Sequence, residues 1–534
     1  MMPRALSHPM AIVLGAAVLN SIWFHGPLWG YLERHLDFAQ SQAWTTALAV
    51  ALIPTLLSLV FFSGLALVSN RLLKLGLILT FFCNAFALYF MQQYSVVLDK
   101  SMLSNVWNTN PDEAMQLLHP RLALDLLLWG GIPSVLVGWW PIRSVPWWQK
   151  CVGALALPLT GGALLYALAY TWLWIDQHAG EVGSRLLPWS YVINSARHWQ
   201  QAAHDSMTFS HLPDATPAPG SRRPRVVVLV IGESARADRH SALGYARPTN
   251  EYTQAVGAVS LAGVQACASY TTAALNCILS HRGIEAPERS AMGEPLPSYL
   301  QRQGVEVIWR TANSGHPPIQ VARFETLGDI QKNCRATDCP PDRLDEGLLY
   351  GLKDLLTQSR SERILVVLHL SGSHGPKYHE KYPPQFERFK PVCRSVILQD
   401  CDQASLNNAY DNSILYTDHV LARLAELLRQ IDASSAWLYV ADHGESLGES
   451  GLYLHGTPRM MAPKEQIDIP MMLWFSDALR REVGLDTSRL NGLSNVGQGH
   501  VFHTVMGLLA LSGGPYQAPL DVFNASRSRS TNVH

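Results

Sequence analysis

Hydrophobic positions along this chain follow two patterns, long unbroken runs first and short β-branched runs later. Five stretches, near 10–31, 44–68, 72–90, 122–141 and 152–175, are apolar for long enough to cross a bilayer, which takes about 20 residues. They predict five transmembrane helices within an anchor spanning 1–175. A cleaved leader is a weaker reading of the first, because no small-residue cleavage site follows it and four more spans do. A loop over 91–121 separates spans three and four and is too long for a mere connector. Within it Asn105, Thr109 and Glu113 recur every four residues, so on a helix they share one face. A solvated face accounts for that spacing as well, and on spacing alone it is preferred. Residues 176–223 read as a bridge, amphipathic around 185–203 and then Pro/Ala/Gly-rich over Leu212–Gly220, as linkers are.

The second pattern begins at residue 224. Val226–Ile231, Val305–Trp309, Ile364–Leu370, Ala436–Val440 and Met471–Phe475 are short apolar runs separated by helical stretches. Such runs read as buried parallel strands, which predicts one α/β domain over 224–534.

Charge refines the picture. Residues 1–175 hold only 14 of the 83 charged side chains, as a membrane region should. Arg4, then Arg71 with Lys74, then Arg143 with Lys150 occupy alternate connections, which the positive-inside rule places in the cytoplasm. Trp139, Trp140, Trp147 and Trp148 flank the last of these as interfacial aromatics do. An odd number of spans starting inside puts everything after 175 outside the cytoplasm. The formal net charge of −1, with no basic run, speaks against nucleic acid as a partner.

Cysteine spacing reaches the same compartment independently. Six of the eight cysteines follow residue 260 and form close pairs, Cys267 with Cys277, Cys334 with Cys339 and Cys393 with Cys401. Local disulfides are expected, and these persist in an oxidising compartment. Cys83 and Cys151 lie in apolar spans and are expected to be free thiols. The first pair frames Cys267-Ala-Ser-Tyr-Thr271-Thr-Ala-Ala-Leu-Asn-Cys277, a clipped loop able to hold a nucleophilic hydroxyl in one geometry. A plain staple accounts for any single pair equally well.

Sites in parallel sheets form at the carboxyl ends of strands. Glu233 follows the first run, His374 the third, and Asp442 with His443 the fourth. Carboxylate and imidazole are good Zn²⁺ ligands, and a divalent ion lowers a hydroxyl pKa and offsets phosphate charge. Glu233, Asp442, His443 and the Thr271 oxygen would make a four-coordinate set, with His374 and His455 available for a second ion or a substrate phosphate. Each residue alone is more simply structural; four after separate strands, with a clipped threonine, are not.

These residues carry a family resemblance. The chain resembles the phosphoethanolamine transferases of Gram-negative inner membranes, especially the lipid A-modifying, colistin-resistance type, over nearly its whole length. The matching strings include Val97-Leu-Asp-Lys-Ser-Met-Leu-Ser-Asn-Val, Gly232-Glu-Ser-Ala-Arg-Ala-Asp238, Gly244-Tyr-Ala-Arg-Pro-Thr249, Tyr410-Asp-Asn-Ser-Ile-Leu-Tyr-Thr-Asp418, Ala441-Asp-His-Gly-Glu-Ser446 and Ala462-Pro-Lys-Glu-Gln466. The family's nucleophile spacing between its two cysteines assigns that role to Thr271 rather than Thr272. The resemblance implies an alkaline phosphatase/sulfatase-type periplasmic domain with Zn²⁺ held by Glu233, Thr271, Asp442 and His443, one ion tightly bound and room for a second. It implies that His374 and His455 attend the phosphate or that second ion. It also assigns Asn105, Thr109 and Glu113 to the ethanolamine head group, against the solvated-face reading. Two positions depart from the pattern. The family's lysine after the Trp-Arg strand is missing from Trp309-Arg310-Thr-Ala-Asn-Ser-Gly-His316, where His316 is the candidate substitute. Leu275-Asn276 stands where Val-Pro is usual.

The implied activity is transfer of phosphoethanolamine from phosphatidylethanolamine to a lipopolysaccharide acceptor through Thr271. Lipid A phosphate is the first choice, with core heptose or a periplasmic glucan as alternatives. An arylsulfatase would need a Cys/Ser-x-Pro-x-Arg string, which Thr271-Thr-Ala-Ala-Leu lacks. Phosphoglycerol transfer on the same scaffold is the nearer rival, and the Asn105 loop speaks against it. A catalytically dead envelope sensor is disfavoured by the intact Glu233, Thr271, Asp442 and His443.

Overall fold

A computed structural model describes the whole chain apart from residues 1–5, 110–113, 116, 206–209, 219–222, 286–292, 335–338, 340–343, 494 and 527–534. The described residues fall into two units, Met1–Leu103 with Leu118–Gln200, and Ser104–Leu117 with Gln201–His534.

The first unit is helical. Ser41–Val68, Asn70–Gln93, Pro120–Trp139 and Trp147–Ala167 are each long and apolar enough to cross a membrane. The first expected span is a pair of helices, Pro9–Trp23 and Gly26–His35, bent by 58°. Its break falls where Gly26-Pro27 interrupts the run, and Pro27 lacks the N–H that would continue the ladder. The fifth ends at Ala167, short of the expected 175, and a separate short helix runs over Trp172–Gln177. Leu75, Leu127 and Leu155 are each more than 60 % exposed to the surroundings, as lipid-facing side chains are. Inside the unit a chain of buried polar groups is paired. Asn84 donates to Asn20 at 2.7 Å, Asn20 to the Leu187 carbonyl at 2.9 Å, and Tyr191 to Asn84 at 2.9 Å. Leu187 N–H donates to His25 Nε2 at 3.1 Å, which ties the segment before the helix Trp189–Asp205 to the first helices.

The second unit is built on a seven-stranded sheet. In chain order its strands are β1 (Arg225–Gly232), β2 (Val259–Leu261), β3 (Glu306–Thr311), β4 (Arg323–Thr326), β5 (Arg363–His369), β6 (Ser434–Ala441) and β7 (Met471–Phe475). Their spatial order is β2-β7-β6-β1-β5-β3-β4. The four central and near-central strands β3, β5, β1 and β6 run parallel and are buried along almost their whole length. Apolar clusters cover both faces, one around Val227, Leu229, Leu365 and Leu438, the other around Val226, Val228, Val366 and Trp437. That two-sided burial is why these strands lack the alternation of a half-exposed sheet.

Two expectations need correction. Met471–Phe475 was expected among the parallel strands but pairs antiparallel with both β6 and β2. A run of five apolar residues is buried on both faces in either direction, so composition does not distinguish the two. The edge strands β2 (Val-Ser-Leu) and β4 (Arg-Phe-Glu-Thr) are short and partly polar, which hid them from a search for apolar runs.

In the structure Cys267 pairs with Cys277, Cys334 with Cys339 and Cys393 with Cys401, while Cys83 and Cys151 stand outside any disulfide. Non-reducing peptide mapping of the full chain should therefore recover three disulfide-linked peptide pairs. Alkylation after denaturation without reductant should mark only Cys83 and Cys151. Free thiols at all six later cysteines would contradict both the pairing and an oxidising location for this domain.

Candidate active site

The sheet register brings the site together. Parallel pairing sets Gly232 opposite Ala441 and Ile231 opposite His369. The next residues, Glu233 after β1 and Asp442 after β6, therefore emerge side by side at the carboxyl edge. Both side chains are fully buried. Ser234 takes a left-handed backbone, φ 54°, turning the chain so that its N–H donates to Asp442 Oδ1 at 3.1 Å. Its hydroxyl donates to Glu233 Oε1 at 2.7 Å.

Thr271 is the first residue of the helix Thr271–Ile278, after Tyr270 at the cap position with extended backbone. The first N–H groups of a helix have no partner within it, and its dipole favours negative charge there. The Thr271 hydroxyl donates to Glu233 Oε2 at 3.1 Å and lies 3.3 Å from His443 Nε2. His443 Nδ1 is 2.8 Å from the Gly444 carbonyl, so that nitrogen carries the proton and the Nε2 lone pair faces inward. His443 Nε2 is 3.3 Å from Glu233 Oε1 and 3.2 Å from Asp442 Oδ2.

These inward atoms are acceptors facing acceptors. Asp442 Oδ2 is buried and accepts no hydrogen bond. Burial, then the neighbouring Glu233 charge, pushes Asp442 well above the usual carboxylate range. Burial and the neighbouring His455 push His443 down to about 4, so it is a neutral imidazole at physiological pH. Two buried carboxylates, a neutral imidazole and a hydroxyl oxygen converging without a basic side chain fit a divalent cation of the zinc class.

A second tier surrounds them. Ligand atoms of Glu233, His443 and His455 lie within 4.8 Å of one another. The His455 ring is 4.3 Å from that of His443 and 5.3 Å from that of His374. Glu445, fully buried, accepts from His455 Nδ1 at 2.7 Å and from the Tyr378 hydroxyl at 2.6 Å. Asn313 Nδ2 donates to Glu233 Oε2 at 2.7 Å and to the Leu370 carbonyl at 3.1 Å.

The structure thus gathers Glu233, Thr271, Asp442, His443, His455 and His374. Asn105 lies in the helix Lys100–Asn108, which stops one residue before Thr109, so Thr109 does not continue its helical face. Glu113 lies outside the described residues. His316 packs its ring against Trp309 and Phe324, with centroids 5.4 and 5.3 Å away, and its Nδ1 is 2.9 Å from the Pro317 carbonyl. The residue of that loop beside Thr271 is Gly315, where a Cβ would lie 3.4 Å from Thr271 Cγ2. Sequence reasoning passed over Asn313, Ser234 and Glu445. Asn313 follows the carboxyl end of β3, so the strand-end rule that selected Glu233 could have found it.

Fold and site together define a membrane-anchored member of the sulfatase class: the family described as Sulfatase matches residues 225–511. The family described as Phosphoethanolamine transferase EptA/EptB matches residues 50–203. The chain is 33 % identical to phosphoethanolamine transferase EptA of Helicobacter pylori over 515 residues, covering 95 % of each. It is 32 % identical to phosphatidylethanolamine transferase Mcr-2 of Escherichia coli, covering 91 % of this chain and 92 % of that one. The structure matches the integral membrane protein lipooligosaccharide phosphoethanolamine transferase A of Neisseria meningitidis with a TM-score of 0.88 at 26 % identity, over 97 % of this chain and 99 % of that one. The chain belongs to the phosphoethanolamine transferase family. It is accordingly a multi-pass inner-membrane protein whose C-terminal domain lies in the periplasm.

Gly444, between His443 and Glu445, offers a test of this packing. A Cβ there would lie 2.1 Å from the Glu465 carbonyl oxygen, a backbone atom. Gly444→Ala should lower stability by about 1–3 kcal/mol and sharply reduce transfer, since both flanking side chains shift. Thermal unfolding together with an activity assay reads both, and parental values for each would contradict the geometry.

Proposed function

We propose that this protein transfers phosphoethanolamine from phosphatidylethanolamine to a phosphate of lipid A, with Thr271 as the covalent carrier. The observation carrying this reading is the Thr271 hydroxyl at a helix N-terminus, 3.1 Å from Glu233 and 3.3 Å from His443. Relatives named phosphatidylethanolamine transferase support the donor. Relatives named for lipooligosaccharide and for Kdo(2)-lipid A support an acceptor in lipopolysaccharide.

Glu233, Asp442 and His443 with the Thr271 oxygen are the residues that would hold Zn²⁺. When bound, the ion supplies Lewis acidity, lowering a hydroxyl pKa and offsetting phosphate charge. Glu233 Oε2 orients the Thr271 hydroxyl, and Asn313 and Ser234 hold the Glu233 carboxylate from either side. The Thr271 Oγ1–phosphorus bond forms as the phosphorus–diacylglycerol oxygen bond breaks, and the proton given up by the Thr271 hydroxyl ends on the departing diacylglycerol oxygen. An acceptor phosphate oxygen then attacks the same phosphorus, the Thr271 bond breaks, and the threonine hydroxyl is restored. His374 and His455 face the phosphate oxygens in this reading, and the helix N-terminus favours the charge they carry. Asn105, Thr109 and Glu113 are proposed to meet the ethanolamine head group.

Thr271→Ala should abolish transfer with folding intact, and Thr271→Ser should keep part of it. Mass spectrometry of lipid A and core oligosaccharide from cells with and without the protein reads both activity and acceptor. If Thr272→Ala loses transfer while Thr271→Ala keeps it, the nucleophile is misassigned by one residue. Phosphoethanolamine found on the core alone would move the acceptor to a sugar.

Glu233→Ala, Asp442→Ala and His443→Ala should each lower bound zinc and transfer together, because each opens the same ligand set. Elemental analysis of purified protein checks this, and a full zinc complement in Asp442→Ala would remove that residue from the set.

A further inference from the structure

The loop that follows His455 ends in an apolar tip that nothing in its own unit covers. Met460 is 99 % exposed and Met461 41 %. Among the described residues after 201, the other exposed large apolar side chains are Tyr252, Ile284 and Phe324, scattered singly. Isolated exposed apolar residues are ordinary surface, whereas two adjacent exposed methionines on one turn form a small apolar patch.

The loop is firmly based. Gly456 N–H donates to the Ser269 carbonyl at 2.8 Å, and the Ser269 hydroxyl donates to the Thr457 carbonyl. Thr457 N–H reaches Gln466 Oε1 at 3.2 Å, and Met461 N–H closes a turn onto the Pro458 carbonyl at 2.8 Å. The chain therefore holds two thioether side chains out into solvent. Arg459 and Lys464 flank the tip, both exposed and neither in a salt bridge among the described residues. Apolar side chains bracketed by cations are the composition that binds an anionic lipid surface, the former entering the acyl boundary and the latter meeting phosphates. Methionine suits that boundary because its flexible, polarisable side chain adapts to irregular surroundings.

We propose that Met460 and Met461 insert into the phospholipid bilayer surface, with Arg459 and Lys464 on its anionic head groups. The contact would hold the loop that carries His455 at the level of lipid head groups. It is separable from the reaction assigned above, because it concerns lipid contact rather than transfer.

The test uses the full chain with Cys83→Ser and Cys151→Ser, carrying an environment-sensitive fluorophore at Met460→Cys. It is reconstituted in vesicles of phosphatidylethanolamine and phosphatidylglycerol, some with spin-labelled acyl chains. Fluorescence at position 460 should be quenched several-fold more than at Glu362→Cys, an exposed control at the opposite end of the sheet. Arg459→Glu with Lys464→Glu should weaken that quenching. No excess quenching at 460 overturns the proposal, and quenching that appears only when lipid A is added overturns it in favour of an acceptor contact. Met460→Asp with Met461→Asp, checked for parental thermal unfolding, gives a label-free second reading. It should raise KM for vesicle-borne phosphatidylethanolamine several-fold with little change in kcat, and an unchanged KM would count against insertion.

Discussion

Glu233 and Asp442 are forced together by the pairing of two parallel strands, and the site depends on how their charges are met. Each follows a strand buried along its length, and the register that aligns Gly232 with Ala441 leaves no freedom to separate them. Two carboxylates that close in a dry interior cannot both ionise unaided. The neighbouring groups either hold one oxygen in place or present another lone pair: Ser234 and Asn313 donate to Glu233, Ser234 N–H and His443 N–H donate to Asp442 Oδ1, and His443 turns Nε2 inward. Everything is oriented and one oxygen, Asp442 Oδ2, is left over. A divalent cation would resolve that arrangement, and in the proposed reaction the same cation would lower the pKa of the Thr271 hydroxyl.

Much of this was legible in the sequence, for identifiable reasons. Runs such as Val226–Ile231 and Ala436–Val440 are long, apolar and bounded, so both their strand character and their two-sided burial show in composition. Strand ends then pointed to Glu233, Asp442 and His443 without knowledge of sheet order. What stayed hidden depends on pairing. The antiparallel direction of Met471–Phe475 leaves no trace in a uniformly apolar run, and β2 and β4 are too short and too polar to register. The bend between Trp23 and Gly26 was written in Gly26-Pro27, yet an apolar window reads straight across it. Asn313 and Glu445 escaped because what marks them is contact with other site residues, and such contacts exist only after folding.

The segment that bears Thr271 is held by local and long-range constraints together. Cys267 and Cys277 lie on either side of the turn into the helix Thr271–Ile278, and Cys267 N–H also donates to Gln498 Oε1 at 2.8 Å. Gln498 Nε2 in turn donates to the Ala441 carbonyl at 2.9 Å. The segment bearing Thr271 is thereby fastened to the end of the strand that delivers Asp442. A disulfide alone would limit the loop's wandering; the glutamine bridge fixes it relative to the carboxylates, as the proposed in-line attack at phosphorus would require.

The loop after β3 bears on Glu233 and on Thr271 alike. It supplies Asn313 to Glu233 and sets Gly315 against Thr271, while the next residue, His316, turns away to pack on Trp309 and Phe324 and to contact the Pro317 carbonyl. A histidine ring packed against two aromatics shapes the loop rather than reaching past it. Positive character around a phosphate in this site would then come from the cation, from His374 and His455, and from the helix N-terminus at Thr271, rather than from residue 316. The site can lack a lysine at this point and keep its logic, because the contact that the loop must preserve is the neutral amide that fixes Glu233.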